Sequence, residues 1–204
     1  MSIAADPTQE DIRYVRELAE SGAHAPLLGG RFMAWWGLLL TIAYTLQHFA
    51  LHGALGDGGK PFGMIWGAFG LFGGVGQALL SRSVAGRAGS GSAGNRASRP
   101  VWTAAAFAIL SVGTGLAIAS RGRIGPSTFD GMVPVAFAAY ACALVVTGAL
   151  ARSKAASTAG AGAIVMVGLF AAMIASPDRY LLAAAGVFLT VLVPGLLLLR
   201  AERG

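Results

Sequence analysis

Apolar residues gather in six long blocks along this chain, at approximately 31–52, 61–81, 100–120, 131–151, 155–175 and 178–199, and nearly all of the charge falls between them. Each block has about the 20 residues that an α-helix needs to cross a hydrocarbon layer about 30 Å thick. The predicted fold is therefore all-α: a polytopic membrane protein whose six transmembrane helices form three consecutive hairpins over residues 31–204. A segment of residues 1–30 precedes them.

Prolines mark the block edges. Pro61, Pro100 and Pro177 stand where a helix is expected to begin, at the position where a missing N–H costs nothing. Ser176, Pro177 and Asp178 read as a cap, a first residue and a first-turn acid, so the fifth and sixth helices are expected to turn back within a few residues. Pro134 falls near the start of the fourth helix, whereas Pro194-Gly195 lies inside the sixth and predicts a kink. Before the first block, Asp6-Pro7-Thr8-Gln9 predicts the start of a short amphipathic helix that ends by Gly22. Ile12, Val15, Leu18 and Ala19 share one face of it, which is expected to lie on the bilayer surface or to dock a cytoplasmic partner.

Composition agrees with the pattern. Hydrophobic residues make up 55% of the 204 positions and charged residues 12%, and the mean hydropathy is +0.67. A soluble domain carries about twice that charge. Eleven lysines and arginines fall on the amino-terminal side of the predicted topology and four, Lys60, Arg121, Arg123 and Arg179, on the other. The excess predicts amino and carboxyl termini in the cytoplasm, and thirteen arginines against two lysines suit a GC-rich bacterial genome and an inner membrane. The net charge of +6 is then an orientation signal and an attraction to anionic membrane lipid, not a nucleic-acid footprint. The amino terminus has no apolar core of a signal peptide, and the single cysteine, Cys142, allows no disulfide within the chain.

Residues 83–99, rich in Gly, Ser and Ala with three arginines, read as a flexible cytoplasmic loop. A weak repeat relates GMIWGAF at 63–69 to GMVPVAF at 131–137. In the second helix Gly63 pairs with Gly67, and Gly70 with Gly74, at the four-residue spacing that lets helix backbones approach closely in lipid. These glycines are expected to pack on a neighbour within the bundle or to form a homo-oligomer seam. Trp35, Trp36, Trp66 and Trp102 lie in the first turns of their helices and read as interfacial belt residues.

Little catalytic chemistry is present. No block carries a Lys, Arg, Asp or Glu near mid-membrane, which argues against a proton-coupled pump. The chain has no HExxH helix, Walker loop or nucleophile elbow. The best candidate site is a stripe on the first helix. At 100° per residue, Thr41, Tyr44, Thr45, His48 and His52 share an arc of about 100°, with Gln47 outside it. Such a stripe is expected to face the bundle interior or a water-filled cleft.

His48 and His52, at i and i+4, have the spacing to share one divalent metal, and Asp57, Asp130 and Asp178 lie on the same side as possible oxygen ligands. They cannot supply both axial ligands of one haem from a single helical face, and His24 lies before the membrane on the opposite side. The plainer reading is two neutral histidines hydrogen-bonded where a helix meets water, with Asp130 and Asp178 serving as helix-start residues and no cofactor required. The expected function is a non-enzymatic interaction or accessory protein, self-associating or bound to other membrane subunits. The alternatives are an ion or small-molecule conduit lined by the stripe and, less favoured, a metal-dependent enzyme.

Overall fold

The computed structural model describes residues 11–13, 28–56, 60–87, 89–123, 126–150, 152–174 and 176–202. Among them every regular element is a helix. Helix α1 is Gly30–Leu51, α2 Lys60–Val84, α3 Ala93–Ala119, α4 Met132–Leu150 and α5 Lys154–Ala172. Helix α6, Arg179–Ala201, contains a π-helical turn at Phe188–Leu192, and a short 3-10 turn, Pro126–Phe129, leads into α4. Five of these, α2 to α6, are long and apolar enough to cross a membrane. Helix α1 has comparable length, 22 residues, and carries tryptophans, Gln47 and histidines among its apolar residues.

Those polar residues are tolerated because α1 is wrapped rather than exposed to lipid on all sides. It packs along α6 on one side and α2 on another, burying Met33, Gly37, Leu40, Tyr44 and Gln47 at helical spacing. Helices α4 and α5 form a tight antiparallel pair, and α3 lies against α4. The shared core is built from Tyr44, Phe137, Leu144, Phe170, Tyr180 and Val187. Outward, α2 and α3 present Met64, Leu71, Phe107 and Ile118, all largely exposed. Apolar exteriors of this extent suit a hydrocarbon surrounding.

Several boundaries differ from expectation. Helix α3 starts at Ala93, not at Pro100, which lies inside it. The Ser92 hydroxyl accepts the Asn95 N–H as cap, and the Asn95 side chain accepts from the Leu28 N–H at 2.9 Å while donating to the Gly89 carbonyl at 2.9 Å. These bonds shorten the expected loop of 83–99 to the turn between Val84 and Ala93. The α4–α5 connection is sharp because Arg152 adopts φ 50° and Ser153 caps the Ala156 N–H. At the sixth block, the helix begins at Arg179, and Asp178 occupies the cap position without a side-chain cap bond. The disturbance expected at Pro194-Gly195 is the π turn just before it, where the Val193 N–H reaches back to the Phe188 carbonyl. Proline cannot complete the regular ladder, and a wider turn absorbs the misfit. Of the amino-terminal helix expected to end by Gly22, residues 11–13 are helical and exposed. The rest, with His24 and Asp57, lies outside the described residues.

Candidate functional site

The close backbone approaches of this fold are made by glycines other than the pairs singled out above. A Cβ at Gly37 would sit 2.7 Å from the Leu192 nitrogen, and one at Gly195 would sit 2.6 Å from the Ala34 nitrogen, so α1 and α6 cross nearly backbone to backbone. Gly148 and Gly160 do the same between α4 and α5. On α2, Gly73 and Gly76 receive the rings of Trp36 and Trp35. Gly63, Gly67, Gly70 and Gly74 fall on the other face, exposed, with nothing within 4 Å of a Cβ built on any of them. Among the described residues they pack on no neighbour.

Three of the four tryptophans also hydrogen-bond between helices. Trp36 Nε1–H donates to Gln77 Oε1 on α2 at 2.9 Å, Trp66 Nε1–H to Gln47 Oε1 on α1 at 3.3 Å, and Trp102 Nε1–H to Thr147 Oγ1 on α4 at 3.1 Å. In a hydrocarbon surrounding a polar side chain finds its partner on another helix or on its own backbone.

The first-helix stripe divides accordingly. Thr41 and Thr45 donate their hydroxyls to the carbonyls one turn back, Gly37 and Thr41, at 2.7 and 2.8 Å. Tyr44 is buried against Trp66 and Tyr180 in the core. Gln47, outside the predicted arc, is the wholly buried polar residue of this helix, and its Nε2 has no partner. The buried face of α1 centres on Leu40, Ala43 and Gln47, and the stripe is its flank. A cleft of about 700 Å³ opens at the other end of α1, bordered by Trp35, Leu38, Leu192 and Arg87 and by Arg31, whose Nε–H donates to Glu202 Oε2 at 3.1 Å.

His48 and His52 remain, and the fold brings them a third group. Their rings lie 4.2 Å apart. Asp178 Oδ1, at the start of α6, is 3.8 Å from His48 Nδ1 and 3.7 Å from His52 Nε2. The ligand atoms of all three lie within 4.8 Å of one another. His52 Nδ1 is 2.9 Å from the His48 carbonyl oxygen, a contact that in the neutral ring leaves the lone pair on Nε2. His48 Nδ1 is buried without a hydrogen-bond partner.

Asp130 does not join this group. Its carboxylate accepts from the buried Arg179 guanidinium and, at 2.7 Å, from the Tyr180 hydroxyl, while Arg179 also donates to the Ile174 carbonyl. Sequence alone does not point to this Arg179–Asp130–Tyr180 cluster, because there Arg179 reads as an orientation charge. The adjacent Arg179-Tyr180 pair opening an apolar block was its one available signal.

The fold and these sites define an all-helical protein of membrane type. No protein-family model, curated protein or solved structure matches the chain.

Proposed function

We propose that this is a non-enzymatic six-span membrane protein that self-associates through α2 and serves as an interaction or accessory module of a bacterial inner membrane, with both termini cytoplasmic. The observation that carries this reading is the uncovered row Gly63, Gly67, Gly70 and Gly74, lying along one face of a helix whose opposite face is already packed. In lipid, helices associate by close van der Waals packing, and a row of missing side chains is the surface that permits it. The conduit reading draws less support, because the threonine hydroxyls of the stripe are spent on their own helix and Tyr44 is buried in the core.

The test is the native mass of the chain in mild detergent and in lipid nanodiscs, together with cross-linking of Gly67→Cys in a Cys142→Ala background. A dimer or small oligomer is expected, linked through position 67 and reduced to monomer by Gly67→Leu. A stable wild-type monomer in both environments overturns the proposal.

A further inference from the structure

We infer that His48, His52 and Asp178 form a binding site for a zinc-class divalent ion, clipping the end of α1 to the start of α6. Two observations converge on it. Asp178 lies more than a hundred residues along the chain from the two histidines, yet the ligand atoms of all three lie within 4.8 Å of one another. Each has its candidate donor atom uncommitted. His52 holds its Nδ1 on the His48 carbonyl and turns Nε2 toward Asp178, the outer hydrogen bond that orients a metal-binding imidazole. His48 Nδ1 is buried and unpartnered. The Asp178 carboxylate makes no cap bond to its own helix, and the neighbouring Arg179 is engaged by Asp130 and the Ile174 carbonyl.

The donor set indicates the ion. Two imidazoles and one carboxylate suit zinc and its borderline neighbours, and calcium and magnesium, which take oxygen ligands, are excluded. Bonds of about 2.0–2.1 Å to a tetrahedral ion place ligand atoms roughly 3.3 Å apart. The Asp178 distances of 3.7 and 3.8 Å, within a set whose ligand atoms span up to 4.8 Å, close to this spacing by inward rotation of the Asp178 carboxylate and the His52 ring, both exposed. Three protein ligands leave a fourth position for water, on the exposed side where His52 and Asp178 lie.

Full-length chain without an affinity tag, stripped with chelator and titrated with zinc in detergent, is expected to bind one equivalent. His48→Ala, His52→Ala and Asp178→Asn are each expected to weaken binding by more than the roughly 100-fold that outer-shell changes cost, while His24→Ala leaves it unchanged. Helical content and elution volume report whether each variant is folded. Independently of any variant, cobalt(II) added to the wild-type chain is expected to give the intense visible bands of a four-coordinate nitrogen and oxygen site. Zinc binding that survives the His48→Ala, His52→Ala double variant, binding that depends on His24, or a six-coordinate cobalt spectrum would each overturn the inference.

Discussion

At the scale of single residues, the largest electrostatic commitment is Arg179, buried at the start of α6 and held by Asp130 and the Ile174 carbonyl. A buried ion pair adds little over an apolar pair of the same volume, but removing one partner leaves an uncompensated charge. Asp130→Ala is therefore expected to destabilise the folded chain by about 3–5 kcal/mol, read from thermal or denaturant unfolding in detergent. The double variant Asp130→Leu, Arg179→Met is expected to lose less than Asp130→Ala alone. A double variant that loses as much would mean that the pair does not act as a unit. Tyr180→Phe, which removes only the 2.7 Å hydroxyl bond to the Asp130 carboxylate, is expected to cost about 1.5–3 kcal/mol. Gln47 shows the limit of pattern reading at this scale. Gln47 lies outside the arc of the polar stripe, yet it is wholly buried. Leu38, Ile42, Leu46 and Phe49 on the exposed side are as apolar as Leu40 and Ala43 on the buried side. Hydropathy alone does not tell lipid from protein, because lipid tails are as apolar as leucine.

At the scale of elements, helices α2 to α6 were legible because length and hydropathy are properties of each segment by itself. Their pairing was not. Glycines at four-residue spacing drew the eye to Gly63, Gly67, Gly70 and Gly74, but the approaches that hold the fold run through Gly37 and Gly195, which share no short repeat because they lie on different helices. The histidine pair was visible as an i, i+4 spacing, whereas its approach to Asp178 depends on how α6 lies along α1. The two kinds of glycine separate cleanly by experiment. Gly37→Leu drives a side chain into the Leu192 backbone, which no rotamer change relieves. It is expected to destabilise the monomer by more than the roughly 1–3 kcal/mol of ordinary overpacking. Gly67→Leu meets open space and is expected to leave monomer stability within about 1 kcal/mol while abolishing the oligomer. Unfolding curves and native mass, measured on both variants, distinguish the two outcomes. Equal loss of stability in both would place Gly67 inside the packed fold.

At the scale of the whole molecule, the question is whether α1 crosses the membrane with the other five helices. Its 22 residues extend about 33 Å at 1.5 Å per residue, enough to span. Its packing also fixes its depth. The Leu28 N–H bonds to Asn95 at the start of α3, so the beginning of α1 and the turn between α2 and α3 lie at one end of the molecule. Trp36 meets Gln77 near that end, and Gln47 meets Trp66 further along, so α1 and α2 run antiparallel over much of their length. If α2 spans, α1 beside it traverses the same layer, with Tyr44 and Gln47 buried and the hydroxyls of Thr41 and Thr45 bonded to its own backbone. A single exposed cysteine at each end tests this, in a Cys142→Ala background and with a membrane-impermeant thiol reagent. Ala54→Cys, just past α1, is expected to react in cells whose outer membrane is permeabilised. Ser90→Cys, in the α2–α3 turn, is expected to react only after the inner membrane is opened. Both positions reacting from the same side would mean that α1 does not cross, and the reverse pattern would turn the whole bundle over in its membrane.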